Sequence, residues 1–197
     1  DLTISQLEPA YLRALQRYAH VLEQRNSLLR RLQERGGRGM DQLDFWDDEL
    51  AETGALILAR RADAVRALAR DAADRYAELA ATVDETLDVR YLPGVPQSVE
   101  AALREHDLQE QFRAALVAAR PEDIRRGMSR IGPHRDDMAF LIAGHPAGVA
   151  GSRGQQRSAA LALRLAEVAL STRRTGDSPV LLLDDILSEL DARRRDR

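Results

Sequence analysis

Hydrophobic side chains at the start of the chain recur on one helical face. Leucines follow one another at intervals of seven residues, at Leu15, Leu22 and Leu29. The companion positions of this face are filled by Tyr11, Tyr18 and Leu32. Arg25 interrupts the stripe, Pro9 suits a first helical turn, and the Gly-rich run at 36–39 predicts the end. The pattern therefore predicts a long helix that packs against a partner helix.

A second apolar stripe begins near Asp41 and continues to about Val83, which predicts another long helix. Gly54 predicts an irregularity within it. Two long helices joined by a short Gly-rich turn pack antiparallel. The Arg-Gly-Gly-Arg-Gly tip is interpreted as a tight turn, and a nucleic-acid contact is the second interpretation.

Further elements follow this helical hairpin. Residues 86–91 alternate as in a short strand, and Ser98 caps a helix that is expected to reach about Ala119. Pro121 then opens one short helical turn at 122–126. From Met128 onward, glycine and proline residues separate short apolar runs. This change predicts two domains, a helical arm at 1–127 and a second domain at 128–197.

The second domain is expected to be α/β. Residues 138–143 predict a strand, 144–151 a loop, and 155–173 a helix that is apolar on nearly every side. The apolar run 180–183 predicts a buried parallel strand, which delivers Asp184 and Asp185 to a sheet edge where ligands bind. The Ser-Arg-Gly-Gln stretch at 152–155 places small residues and unpaired N–H groups at a helix start, which suits an anion such as phosphate.

The amino-acid composition limits the kinds of site that the chain can contain. The chain has 44% hydrophobic and 31% charged residues, as in globular proteins, and a net charge of −3. Its lack of cysteine excludes disulfides and thiolate metal sites, and no apolar stretch is long enough to span a bilayer, which favours the cytoplasm. All 29 basic residues are Arg, so the Lys of a phosphate-binding loop must lie outside the chain. The sequence is therefore interpreted as part of a longer protein and is expected to be inactive alone.

Three ordered motifs resemble the RecF family of bacterial recombination mediators, which belongs to the ABC-type ATPases with heads like those of chromosome-maintenance proteins. The motifs are Gly-Pro-His-Arg-Asp-Asp at 132–137, Ser-Arg-Gly-Gln-Gln-Arg at 152–157 and Leu-Asp-Asp-Ile-Leu-Ser-Glu-Leu-Asp at 183–191. The runs at 24–29 and 45–51 are similar to that family's helical arm, so the resemblance covers nearly the whole chain. It implies a mostly helical α/β fold, a helical arm joined to the C-terminal part of an ABC-type head.

The resemblance also implies a function. Such proteins bind ATP between two subunits, are weak ATPases, and bind DNA at gaps and at junctions of single and double strand. They act with RecO and RecR to load RecA in DNA repair, recombination, replication and the SOS response. ATP and Mg²⁺ are the implied cofactors, and an ATP-dependent homodimer is the implied assembly.

Specific residues take roles by the same resemblance. Asp184 would hold Mg²⁺, and Asp185 would activate the attacking water. The signature residues would contact the nucleotide bound by the opposite subunit, and they are Ser152, Gly154, Gln155, Gln156 and Arg157. Ser188 and Asp191 match a loop that couples the two sites. In the alternative interpretations the two acids cap the next helix, the Ser-Gly stretch is an ordinary cap, and Asp191 is an acid at a helix start.

Two questions stay open at this point. The arginines of the predicted arm are candidates for contact with DNA or a partner protein, and they are Arg25, Arg30, Arg31, Arg35 and Arg38. His134 and Arg135 form either a structural turn or a link between nucleotide and arm. The alternative functions are the head of another repair ATPase of the chromosome-maintenance type, and a non-catalytic helical interaction module. A transporter ATPase is disfavoured because a long helical hairpin precedes the signature.

Overall fold

A computed structural model describes residues 1–80, 85–97 and 107–181. The chain is mostly helical with a small sheet, as expected. Its helices are α1 (Leu2–Leu7), α2 (Pro9–Glu34), α3 (Leu43–Leu79), α4 (Leu108–Arg126), α5 (Ala147–Ala150) and α6 (Arg153–Thr175). Its strands are β1 (Leu87–Leu92), β2 (Asp137–Ile142) and β3 (His145–Pro146), with single 3-10 turns at Met40–Gln42 and Pro133–Arg135. No helix in the described ranges is long and apolar enough to cross a membrane.

The contacts divide the chain into two compact units. The first unit comprises Asp1–Ala62 and Leu92–Asp137, and the second comprises Asp63–Tyr91 and Met138–Arg197. Both units are discontinuous in sequence, whereas the predicted domains at 1–127 and 128–197 are separated by a single boundary. The difference arises because α3 contributes residues to both units and because the segment up to Asp137 packs with the first unit.

In the first unit α2 and the first part of α3 run antiparallel, as the sequence predicts. Arg25 in the second half of α2 pairs with Asp47 near the start of α3, whereas Arg17 in the first half of α2 pairs with Glu49 and Glu52 further along α3. Apolar side chains at the closed end of this hairpin form a buried cluster with α4, and they are Leu28, Leu29, Leu32, Leu43 and Ile124. The turn itself uses Gly36, Gly37 and Gly39 at positive φ, which favours glycine.

Helix α3 passes through Gly54 without interruption, so the predicted irregularity there is wrong. A Cβ atom at this position would collide with the ring of Phe112 and would lie 3.1 Å from the ring of Tyr18. The glycine therefore permits the close approach of two aromatic side chains from α4 and α2. It does not break the helix because the surrounding contacts outweigh its low helix propensity.

Helix α4 also continues through Pro121, so the predicted break after Ala119 is wrong. Phe112 and Leu116 before the proline and Ile124 after it are all buried, and this shared apolar face keeps the helix in one piece. Pro121 is exposed, and because proline has no backbone N–H the helix lacks one hydrogen-bond donor there. The helix ends at Arg126 and is capped by Gly127, which has a φ of +66°. The predicted cap at Ser98 lies outside the described residues.

The second unit packs α6 and the later part of α3 against the sheet. Its core contains Tyr76, Val89 and Ile142 beside small residues of α6, namely Ala159, Ala162 and Ala166. The strand order is β1-β2-β3, and β2 pairs antiparallel with β3, with Ile142 opposite His145. The predicted loop at 144–151 is therefore wrong in part, because it contains β3 and α5. Ala143 and Gly144, both at positive φ, make the two-residue turn of this hairpin.

Candidate functional site

The signature motif begins helix α6. Ser152 is the N-cap residue, and its Oγ accepts a hydrogen bond from the Gln155 N–H at 3.2 Å. The Gln155 side-chain oxygen accepts in return from the Ser152 N–H at 2.8 Å. This reciprocal capping box fixes the helix start at Arg153, two residues before the predicted position.

Gln156 holds the segment that precedes the signature. Its Nε2 donates to the carbonyl oxygens of Ala147, at 3.0 Å, and of Gly151, at 2.9 Å. A Cβ atom on Gly151 would lie 2.6 Å from the Ala147 oxygen, so only glycine allows the chain to turn this tightly. The side chain of Gln156 thus supports the backbone just ahead of Ser152 and does not extend freely into solvent.

The capped helix start retains groups that can bind an anion. Within the described part of the chain, the N–H groups of Arg153 and Gly154 in the first turn have no hydrogen-bond partner. The Ser152 oxygen acts only as an acceptor in the capping box, so its own O–H remains able to donate. Because Ser152 and Arg153 are exposed, an anion from outside the chain can reach these donors at the positive end of the helix dipole.

Four of the predicted site residues lie outside the described residues. These are the acids assigned to the metal and to water activation, Asp184 and Asp185, and the coupling-loop residues Ser188 and Asp191. The apolar run that should precede them is described only at Val180 and Leu181, and Val180 is 87% exposed. In the described ranges, no group of three or more His, Cys, Asp or Glu residues could hold a metal ion.

The motif at 132–137 is held by hydrogen bonds within the first unit. The motif and its side-chain partners, Tyr18 and Arg61, are called the latch. His134 Nδ1 lies 2.8 Å from the Tyr18 hydroxyl, and its Nε2 lies 3.1 Å from the Ser129 carbonyl oxygen. Since a carbonyl only accepts, Nε2 carries the proton and the Tyr18 hydroxyl donates to Nδ1. Burial lowers the pKa of His134 and raises that of Tyr18, so both groups are neutral near pH 7.

Arg61 and Asp136 complete this latch. The Arg61 guanidinium donates to the Pro133 carbonyl oxygen and to Asp136, both at 2.6 Å. Asp136 also accepts from the Gly94 N–H at 2.8 Å, and the Gly132 N–H donates to the Gly94 carbonyl at 2.7 Å. No local pattern in the sequence indicates the role of Arg61, because its partners in the latch, Pro133 and Asp136, lie 72 and 75 positions away. The structure thus gives the motif a positioning role within the first unit.

Arg25 differs from the other candidate arginines because it is buried. Its side chain is completely buried, with Nε donating to Asp47 and Nη1 donating to Asp123 and Ser129, each at 2.7 Å. Arg120 completes the network by pairing with the second oxygen of Asp47. The expectation that Arg25 contacts DNA or a partner is therefore wrong for this folded state, because burial makes the side chain inaccessible. The sequence does not indicate this burial because Asp123 is 98 positions away.

The other four candidate arginines are exposed at the closed end of the helical hairpin. Arg30 and Arg31 lie on the last turns of α2, and Arg35 and Arg38 lie on the turn that follows. Arg31 donates to Ser27 at 3.2 Å. Their accessibility is compatible with the predicted contact to DNA or a protein partner, which stays a prediction.

The chain is similar to known proteins in sequence and in structure. No family model matches the chain. Proteins named DNA replication and repair protein RecF match it over its whole length, with 49% identity in Herpetosiphon aurantiacus and 46% in Chloroflexus aggregans. These matches include 100% and 99% of this chain but only 49% and 50% of the two relatives. The chain therefore spans about half the length of the relatives.

Solved structures give the same relationship. The recombination mediator protein RecF bound to an ATP analogue, described as part of the RecFOR pathway, matches 97% of the chain with a TM-score of 0.83 and 35% identity. The corresponding structure with ATP matches 98% of the chain with a TM-score of 0.83 and 34% identity. In both cases the match covers 50% of the solved chain.

Proposed function

Since the chain belongs to the RecF family, we propose that it supplies the arm and the C-terminal head segment of an ATP-dependent, DNA-binding recombination mediator. The observation that carries this proposal is the capped start of α6, where the signature motif presents a hydroxyl and two N–H groups that have no partner among the described residues. A nucleotide phosphate is the anion that these donors suit. The relatives and the ATP-bound structures that match the chain support the same assignment.

Each candidate residue has a role in this proposal. Ser152 and the backbone of Gly154 contact the γ-phosphate of ATP held by the opposite subunit, with the adjoining signature residues completing the motif, so ATP joins two copies into a homodimer. Asp184 holds Mg²⁺ and Asp185 activates water, while Ser188 and Asp191 couple the two sites. The roles of these four residues rest on the family resemblance alone, because they lie outside the described part of the chain.

The complete protein is proposed to act in the cytoplasm at gapped DNA and at junctions of single and double strand. There it works with RecR, and with RecO and RecA in the same pathway, in DNA repair, recombination and replication, including the SOS response. Weak ATPase activity belongs to the complete protein, since the phosphate-binding loop with its Lys is not in this sequence. The 197 residues alone are expected to be inactive.

Exchange of Ser152 tests the signature role. In a version of the protein completed to the length of its relatives, Ser152→Arg should abolish ATP-dependent dimerisation in analytical ultracentrifugation while ATP binding persists. The bulky cation fills the place of the phosphate that the opposite subunit would bring. Ser178→Arg is the matched control, since it makes the same exchange at an exposed position of the same unit. Equal dimerisation of both variants would reject the role.

Exchange of Asp185 tests the catalytic role. Asp185→Asn should leave dimer formation intact and lengthen the lifetime of ATP-bound dimers, because hydrolysis is what releases them. Dimer lifetimes equal to those of the unmodified protein would count against a catalytic carboxylate at this position. If the protein dimerised tightly without ATP, the alternative of a non-catalytic interaction module would be favoured.

A further inference from the structure

Two groups of arginines that are distant in sequence meet at the closed end of the helical hairpin. The first group is Arg30, Arg31, Arg35 and Arg38, and the second is Arg125, Arg126 and Arg130 around the end of α4. Gln33 Nε2 donates to the Arg125 carbonyl oxygen at 2.7 Å, which joins the last turn of α2 to the end of α4. The backbone of Gly127 also lies against Arg30, since an added Cβ there would be 3.2 Å from the Arg30 Cγ. These seven residues are called the tip surface.

The geometry of this junction depends on Gly127. The residue has a φ of +66°, and its N–H donates to the Ile124 carbonyl, while the Met128 N–H donates to the Asp123 carbonyl. These two bonds form a Schellman motif, which ends α4 and turns the chain toward Arg130. An added Cβ would lie 2.9 Å from the Gln33 side-chain oxygen, so glycine also allows the approach to α2.

The charges of the tip surface are poorly balanced. Several other arginines of the first unit have their own carboxylates, as Arg17 has Glu49 and Arg61 has Asp136. Among the described residues, none of Arg30, Arg31, Arg35 and Arg38 has a carboxylate within ion-pair distance. Glu34 and Asp41 are the acids nearest to them in sequence. The local excess of positive charge contrasts with the net charge of −3 of the whole chain.

A single carboxylate serves the three arginines of α4 and the segment after it. Glu122 pairs with Arg125, with Arg126 at 2.7 Å and with Arg130 at 3.3 Å. Hydrogen bonds from Arg125 and Arg126 lower the pKa of Glu122 to about 2, so it is ionised at neutral pH. The three side chains are 65%, 52% and 46% exposed, so other anions can reach them.

We propose that the tip surface binds the phosphate backbone of DNA without reading base sequence, an inference that rests on the proposed function. The guanidinium groups match phosphate oxygens with paired donors. A backbone with regularly spaced charges can serve an array of arginines spread over two elements, whereas one Glu122 cannot. From the sequence alone, only the α2 group is a candidate for contact with DNA, and tertiary structure brings the α4 group to the same surface.

Removal of the α4 group gives the main test. In the length-completed protein with ATP present, Arg125, Arg126 and Arg130 are together replaced by Gln. Binding to a gapped duplex is measured by fluorescence anisotropy at several salt concentrations. Affinity should fall about tenfold or more, and the slope of log affinity against log salt should flatten by about two to three. The control replaces three exposed arginines of the second unit, Arg66, Arg70 and Arg75, and should change both quantities much less.

Exchange of Glu122 gives a test in the opposite direction. Glu122→Gln removes the carboxylate that competes with phosphate, so affinity should rise a few-fold and the salt slope should steepen. Equal or weaker DNA binding by this variant would overturn the inference, and so would equal losses in the two triple variants. A triple variant that binds DNA normally but loses binding to purified RecR would also overturn it, because the surface would then serve an acidic protein.

The outcomes for the tip surface and for the proposed function can be separated. All variants should retain ATP-dependent dimerisation, which reports the signature site and uses none of the tip residues. If the unmodified protein fails to bind gapped duplex, the proposed function itself fails. If it binds and the tip variants bind equally well, only the inference about the tip surface fails.

Discussion

The two units bury different kinds of side chain. Among the described residues, the first unit buries the charged side chains Arg25, Asp47 and Asp123 completely, whereas Ser158 is the buried polar residue of the second unit. The core of the second unit instead brings alanines of α3 and α6 against the sheet, with Ala72, Ala162 and Ala166 fully buried. Directional ion pairs therefore specify the first unit, and close packing of small side chains specifies the second.

Loss of the buried cation should produce the largest effect. Arg25→Met leaves Asp123 without its ion-pair partner in the interior, so the free energy of unfolding should fall by about 3–5 kcal/mol. Urea unfolding followed by the fluorescence of Trp46, which lies against the apolar cluster of the first unit, measures this change. Trp46 is the single tryptophan of the chain.

Arg17→Met is the matched control for Arg25. It removes an exposed ion pair between the same two helices and should cost at most about 1 kcal/mol. Similar losses in both variants would contradict the idea that buried charge distinguishes the first unit. The interior would then tolerate an unpaired Asp123 as readily as the surface tolerates an unpaired Glu49.

Enlargement of a small side chain should produce the next effect, in the second unit. Ala162 is fully buried, so Ala162→Leu should lower the stability by about 1–3 kcal/mol through overpacking. Hydrogen exchange of amides in α6 measures the loss locally. Ala160→Leu, at an exposed position of the same helix, should leave exchange nearly unchanged. Equal protection in both variants would mean that tight packing does not specify this unit.

The same contrast explains what the sequence could predict. The helical hairpin was predicted because its signals are local, namely leucines seven residues apart and a glycine-rich turn. The start of α6 was predicted to within two residues for the same reason, since Ser152 and Gln155, which form its capping box, lie within four positions. Local signals thus identified the long helices of both units, and also the helix start on which the proposed nucleotide site rests, but they did not indicate α1, β3 or α5.

Signals that depend on distant residues were misread. Gly54 was interpreted as an irregularity because the rings that approach it, Tyr18 and Phe112, are remote in sequence. For the same reason, the sequence predicts neither the burial of Arg25 nor the place of the α4 arginines on the tip surface. Most of these errors lie in the first unit, because long-range contacts such as that of Arg25 with Asp123 determine which of its side chains are buried.

The smallest effect should be a pH dependence in the first unit that involves His134. Burial lowers its pKa in the folded state, so the unfolded chain binds the proton more readily. The neutral form therefore contributes stability above the unfolded pKa of about 6.5, and this contribution is lost as the pH falls through the lower folded pKa. Unfolding free energies between about pH 7.5 and 5 should show the loss, and His134→Gln should flatten it.

His20→Gln is the control for this titration, because His20 is exposed on α2, the helix that carries Tyr18. This variant should keep the pH dependence of the unmodified chain. Tyr18→Phe should remove the hydrogen bond to Nδ1 and cost about 1 kcal/mol near neutral pH. If His134→Gln left the pH dependence unchanged, the neutral Tyr18–His134 pair would not couple protonation to folding. The buried ion pairs would then account for the polar specificity of the first unit without this latch.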